Sequence, residues 1–524
     1  MPRHREKQKE RHGGRSGIDL IGEDLLQTVL SRLPALSFAS AACVSRSWNT
    51  VCKRILSRPK LSSALSLNPS LQVAVKEVVD KVLSQPIRPH FAIACVGPSF
   101  NLRLTHNLIT KKLGFIAPVI TCEFNGIMGR EALTNEFKEI QWGITDDEDN
   151  DVPDAHGIIL TIGFLPGLKV DVIPLVRSIE EPQVALVDKL GMEGLIDKWV
   201  MDIREYTASV SGGTSPAGII MFGGLRIDMK TILDKMDYAM SRETFIVGGE
   251  SNKFLYRRNG DSSNANRRQK DNVVAVALLL ATDRNKPLGI GDTQFRVAFS
   301  PGISPIGPMH KAVSVREKRS DCSTWLTARR EGLHDVLDGQ TMLNDINDEM
   351  GDRIEYPALY IGVTERRKCS IGLEKASWVT SLAFHEVMGG DEEYLFVNGC
   401  GIKTGDSFRF YQSDSSTAFS FCSNVSENLK LLKQDGNKEV FGGIIFSCCG
   451  RGNSFFRRSY VDSFPFLENF PGIPLGGAFC GGEIGRGSLS LYSQEAQQSS
   501  VRCCLHVYST VYLAMSYTPV LPEC

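Results

Sequence analysis

A chain of 524 residues with 42% hydrophobic and 23% charged residues has the composition of an ordinary globular protein, long enough for about two to four domains. Its 59 Lys and Arg against 60 Asp and Glu leave a formal net charge of −1, which argues against nucleic acid or an anionic membrane as the main partner. The fourteen cysteines are scattered, with doublets at Cys448-Cys449 and Cys503-Cys504 but no Cys-x-x-Cys, so neither a zinc module nor any other metal centre or cofactor is expected. No signal-peptide pattern opens the sequence, so reduced thiols and a cytoplasmic or nuclear location are expected. The longest apolar run, Val273 to Ala281, is nine residues, half a membrane span, and reads as a buried strand.

Residues 1–17 are polar and basic and read as a disordered tail. Three short helices are predicted next. Leu25, Leu26, Val29, Leu30 and Leu33 form one wide apolar face, and Pro34 ends that helix. Ser37 is a candidate cap for a second helix carrying Phe38, Ala41 and Val44, and Ser47 for a third carrying Trp48, Val51, Cys52, Ile55 and Leu56. Three helices in about forty residues bury too little apolar surface to stand alone, and with no metal or disulfide spacing nearby they require a partner. The stretch 18–60 resembles an F-box on Leu33-Pro34, Val44-Ser45-Arg46-Ser47-Trp48 and the leucine-rich first helix. Ile21-Gly22 stands where the family opens with Leu-Pro, a departure that loosens the first turn. The resemblance implies docking on a Skp-type adaptor, and through it a cullin, by Ile21, Leu25, Leu26, Val29, Leu30, Leu33, Pro34, Val44 and Trp48.

Leu61 to Asn68 faintly matches one leucine-rich repeat, but no repeat period is sustained, which excludes a solenoid. Residues 61–89 read as a linker with a helix at Val73–Leu83, closed by Pro86 and Pro89. From His90 the texture becomes mixed α/β. Strands are predicted at Phe91–Val96, Pro118–Cys122, Gly157–Gly163, Ala217–Phe222, Thr244–Val247, Val273–Ala281 and Thr293–Phe299. Helices are predicted at Asn101–Leu113, Arg130–Ile140, Asp188–Trp199 and Asp228–Met240. Thr145–Asp154 is acidic but lacks the central Gly and terminal Glu of a calcium loop, and Tyr256–Asp271 is rich in Arg, Asn and Ser; both read as surface loops. Met309–Arg330 is a long mixed-charge segment. Beyond it, helices are predicted at Ala328–Leu337, Gln340–Met350 and Phe419–Leu432, strands at Pro357–Val363, Trp378–Phe384, Val440–Ser447 and Arg502–Met515, and a turn at Asn398-Gly399.

Four strings stand out: Pro301-Gly302-Ile303-Ser304-Pro305-Ile306-Gly307-Pro308, Leu337-Asp338-Gly339, Phe446-Ser447-Cys448-Cys449-Gly450-Arg451-Gly452, and Pro474-Leu475-Gly476-Gly477-Ala478-Phe479-Cys480-Gly481-Gly482-Glu483-Ile484-Gly485. In this order they resemble the FIST family, a two-part intracellular signal-transduction module that also occurs behind F-boxes. Gly248-Gly249 after a strand fits its first part. Ile303 and Ser304 depart from the first string, so no role for a cysteine there carries over. The resemblance implies a first part over 90–320, a second over 321–515 and a tail at 516–524.

Glycine-rich turns after buried strands allow close backbone approach and present free N–H groups. Arg451, Gly481, Gly482, Glu483 and Gly485 are therefore candidates for a ligand or client site, with Glu483 receiving an ammonium group or capping backbone donors. The competing reading pairs Glu483 with Arg451 in a structural ion pair. Cys449 near Arg451 could be an activated thiolate, but the needed base cannot be assigned among His310, His334, His385 and His506, and a buried structural cysteine is the simpler reading. No Gly-x-x-x-x-Gly-Lys-Ser/Thr, His-Glu-x-x-His or Gly-x-Ser-x-Gly is present. The resemblances imply a non-catalytic substrate-recognition subunit of an SCF-type ubiquitin ligase, holding a target protein. The alternatives are an intracellular sensor of small ligands such as amino acids, and an enzyme using Cys449.

Overall fold

The computed structural model describes residues 22–114, 117–142, 155–177, 189–224, 228–259, 273–318, 321–351, 357–434, 436–488, 491–492 and 501–520. The basic tail, Ile21, the acidic stretch at 145–154 and most of the Arg/Asn/Ser-rich stretch lie outside them.

The chain opens with α1 (Glu23–Leu30), α2 (Ala35–Ala41) and α3 (Arg46–Ile55). Glu23 and Asp24 in the first turn of α1 complement the helix dipole. The second helix starts directly after Pro34, so Ser37 is not its cap. Ser45, not Ser47, caps the third, accepting the Trp48 amide at 3.2 Å. Leu26, Leu30, Phe38, Ala41, Val51 and Cys52 fill a small core between the three.

The mixed α/β body follows: β1 (Lys60–Ser66), α4 (Leu71–Val82), β2 (Phe91–Val96), α5 (Leu102–Leu113), β3 (Val119–Glu123), β4 (Gly126–Arg130), β5 (Phe137–Gln141), β6 (Ile158–Phe164), β7 (Leu168–Val176), α6 (Lys189–Ser211), β8 (Gly218–Gly224), α7 (Met229–Ala239), β9 (Phe245–Ser251), β10 (Lys253–Arg257), β11 (Val273–Thr282) and β12 (Asp292–Ser300). Next come β13 (Ile303–Lys318), β14 (Ser323–Arg330), α8 (Gly339–Met350), β15 (Leu359–Cys369), β16 (Ser377–Gly390), β17 (Leu395–Asn398), β18 (Ser407–Ser413), α9 (Ser415–Gln434), β19 (Glu439–Cys448), α10 (Asn453–Phe456), α11 (Phe464–Asn469), β20 (Leu475–Cys480), β21 (Glu483–Ser488), β22 (Arg502–His506) and β23 (Thr510–Thr518).

Three sheets result. The first runs β1-β6-β2-β3-β10 and the third β12-β23-β19-β20-β4-β5. The second runs from β7 through β11, β8, β9, β21 and β22 to β16, then closes on itself, because β15 pairs with both β16 and β18, making a barrel of β15-β18-β13-β14-β17-β16. The barrel core holds Ile306, Leu326, Phe408 and Phe410, with Met342 and Ile346 of α8. A shared core containing Phe91 and Ile120, Phe222 and Leu278, and Phe446 and Leu513 joins all three sheets.

Five expectations are corrected. Arg130–Ile140 is not a helix but the β4–β5 hairpin, turned through Asn135 at φ 62°, because β4 finds a partner in β20. Ala328–Leu337 is the end of β14 followed by a turn with Gly332 at φ 83°. Arg502–Met515 is two strands on different sheets, separated at Tyr508, where φ is 47°. Residues 61–89 are not a linker: β1 pairs with β6 along its whole length, and α4 buries Leu71, Ala74, Val75, Val78, Val79 and Val82. The division at residue 320 does not separate the sheets either. β4 and β5 pair into a sheet otherwise built from β12, β19, β20 and β23, and β21 pairs with β9.

Candidate functional site

Two places collect the sequence-derived candidates. The first is the helical unit. Leu26 and Leu30 point into its core, Leu30 at 0% exposure, and so belong to its own stability. Leu25, Val29 and Val44 point outward, the last 63% exposed. Pro34 is exposed, and Leu33 and Trp48 are half-buried against the core. The periodicity reading missed Leu36, which is 79% exposed on α2. Its signal was available: it lies two residues before Phe38 and five before Ala41, off the face those two residues bury. Between residues 25 and 44, four large apolar side chains thus face solvent, a pattern typical of a protein-docking face. The unit is held to the body: the Ala35 amide donates to the Leu83 carbonyl at 2.9 Å, and Ala35 and Leu56 pack on the core beneath α4.

This geometry agrees with the comparison against known families, in which residues 18–59 match the F-box domain. An F-box/LRR-repeat protein of Arabidopsis thaliana is 45% identical over 507 residues, covering 96% of this chain and 94% of that protein. The chain belongs to the F-box protein family. Among the described residues of this F-box protein no array of stacked strand–helix repeats is present, and Leu61 to Ser66, the stretch resembling one repeat, forms β1 in a five-stranded sheet.

The second place is the glycine-rich corner. Here β19 and β20 run parallel, with Cys448 beside Cys480, and both lead into turns. Arg451 sits in the first turn at 0% exposure. Its guanidinium donates to Asp462 through Nη2 at 2.6 Å and Nε at 3.2 Å. It also donates to the carbonyls of Ser300 at 2.7 Å and Tyr508 at 3.0 Å, and stacks on Phe456. Asp462 further accepts the hydroxyls of Ser447 and Thr510 at 3.0 and 2.9 Å. Burial works against the Arg451 charge, but Asp462 more than offsets this, so its pKa ends above the ordinary value.

Glu483 does not pair with Arg451. It is fully buried at the start of β21, where Oε2 accepts the Ser509 amide at 3.0 Å and hydroxyl at 2.9 Å. Burial pushes its carboxyl well above the usual range, against the pull of the two Ser509 hydrogen bonds. The glycines serve close packing rather than an open cradle. A Cβ at Gly476 would strike Thr161, at Gly482 the Glu250 carboxylate, and at Gly485 the ring of Phe299. Gly481 donates its amide to the Glu250 carbonyl at 3.2 Å. The residue that sequence reasoning missed is Asp462, an acid set between Val461 and Phe464 with no motif around it.

Three of the four strings meet at this corner: Ser300, the residue before the first, accepts from Arg451, and a Cβ at Gly302 would lie 3.0 Å from the Arg451 guanidinium. The Leu337-Asp338-Gly339 string lies instead in the barrel, where Asp338 caps α8 by accepting the Thr341 amide at 2.7 Å.

The Cys449 thiol is held below its ordinary value by its hydrogen bond with Cys448, aided by Asn125. No hydrogen bond among the described residues joins it to a histidine. His506 is fully committed to the Tyr492 hydroxyl at 2.6 Å and the Gly485 carbonyl at 2.8 Å. His310 stacks on Phe408, and His385 bonds the Asn398 carbonyl, both in the barrel. Among the described residues no group of three or more His, Cys, Asp or Glu could hold a metal ion.

Proposed function

We propose that this F-box protein is the substrate-recognition subunit of an SCF-type ubiquitin ligase. The observation that carries the reading is the outward apolar set Leu25, Val29, Leu36 and Val44 on an F-box whose inner residues already fill its own core. Such a set gains from covering by a second protein, the Skp-type adaptor, which brings the cullin. The body built from residues 60–518 resembles the FIST region and would hold the target protein. Ubiquitin transfer would belong to the conjugating enzyme bound elsewhere, with this chain acting by proximity. The sealed state of Glu483 and Arg451 lends no support to a ligand-receiving role for either, and the client reading does not depend on that corner.

The test is reconstitution of the full chain with adaptor, cullin and the conjugating machinery. Stable co-elution with the adaptor, lost on Leu36→Glu with Val44→Glu in a folded chain, is the expected result. A folded wild-type chain that does not bind the adaptor would sink the reading.

A further inference from the structure

β12 is the last strand of its sheet, hydrogen-bonded on one side to β23 from Asp292 to Ser300. Among the described residues no strand pairs with its outer side. Beside that edge runs α9, which packs Val425 and Leu429 onto the sheet next to Ala298. Strand edge and helix enclose a groove of about 530 Å³, lined by Arg296, Phe299, Phe421, Asn424, Asn428 and Leu491. Asn424 and Asn428 are one helical turn apart on the same face of α9. Both are exposed and make no side-chain hydrogen bond among the described residues. Arg296 is exposed and makes no ion pair among them either. Glu427 also lines the groove, and its carboxylate is paired with Lys430 at 3.7 Å.

A row of backbone donors and acceptors that no described strand pairs, next to a helix, is the geometry that accepts an extended peptide as an added strand. Charge identifies the occupant. Arg296 is the middle residue of β12, so two copies pairing edge to edge about its centre would set Arg296 against Arg296, an unfavourable cross-strand pair. An extended segment with a carboxylate at that position is attracted instead. We propose that the β12–α9 groove binds an extended, acidic segment of the client protein by strand addition, with Arg296 receiving its carboxylate and Asn424 and Asn428 bracketing it. This rests on the reading of the body as a client holder and names where on it the client docks.

The probe is a displayed library of random peptides of about ten residues, selected on the full chain, with and without added adaptor. Selected peptides should share an Asp or Glu flanked by alternating apolar residues. Arg296→Glu should weaken them at least about tenfold, without moving the melting temperature. N-methylation along the peptide should abolish binding at every second amide only, the signature of strand pairing. Absence of any selected peptide, binding indifferent to Arg296→Glu, or no alternation in the N-methyl series would overturn the proposal. So would a chain dimer that Arg296→Glu dissociates, which would give the edge to a second copy. A chain that binds adaptor but selects no peptide loses only the groove; one that selects peptides but binds no adaptor loses only the ligase reading.

Discussion

Arg451 and Asp462 form a fully buried ion pair, Nη2 to Oδ1 at 2.6 Å, in which each charge is further satisfied by hydroxyls or carbonyls from β12, β19 and the approach to β23. The pair ties the turn after β19 to the segment leading into α11. Removing one partner strands the other charge in the interior. Arg451→Met is therefore expected to cost about 3–5 kcal/mol, read from urea unfolding. Adding Asp462→Leu should recover much of the loss, because the remaining charge is gone. A single mutant as stable as wild type would contradict the arrangement.

The F-box residues should separate into two classes. Leu30→Ala should destabilise the chain by about 2–5 kcal/mol through an unfilled core site, with adaptor affinity falling only as the folded fraction falls. Leu36→Glu should leave thermal unfolding unchanged and reduce adaptor affinity at least about tenfold, given roughly 1.5–3 kcal/mol for burying one such side chain. Calorimetric titration with the adaptor and a melting curve on the same preparation check both.

The body should not fold when cut at residue 90. β1 supplies Leu61 and Leu65 to the core shared by the three sheets, and α4 covers the first sheet. A fragment beginning near residue 57 is expected to be soluble and to melt cooperatively, while one beginning at 90 aggregates. Cooperative melting of the shorter fragment would show that β1 and α4 are dispensable.

The carboxyls of Glu139 and Glu250 should make a contribution to stability that falls as pH rises from about 4.5 to about 7, against the opposite trend of His90, His106, His310 and His506, which burial lowers to about 4. Burial raises the carboxyls of Glu139 and Glu250 to about 7 from an ordinary 4.5. In that window the native chain holds protons that the unfolded chain has released, so each group's contribution is full below the unfolded value and lost as pH passes the folded one. Glu250→Gln should remove the Glu250 share, so that between about pH 5 and about pH 8 the urea midpoint of the variant shifts upward relative to that of the wild type. An unchanged slope would mean that Glu250 titrates normally.

Local chemistry determined a good part of this protein. Apolar continuity marked β2, β8, β11 and β19 nearly to the residue, and Asn101, Asp228 and Asp338 cap α5, α7 and α8 where short polar side chains meet the helical pattern. The F-box helices were legible because their periodicity is strong and Pro34 punctuates it. What depended on distant partners was not legible. Residues 130–140 carry an ambiguous pattern, and only β20, over three hundred residues later, makes β4 a strand. Helical period marked Leu26 and Leu25 alike as apolar, and only the packing of α3 decided which is core and which faces solvent. Arg451 was recognisable as a residue of consequence, but its partner was not. Asp462 and Glu483 are both acids in apolar surroundings, and the choice between them was made by the path of the chain through the third sheet. Sequence spacing carries helix and strand periods; it does not carry the long-range register that brings a buried charge to its counter-charge.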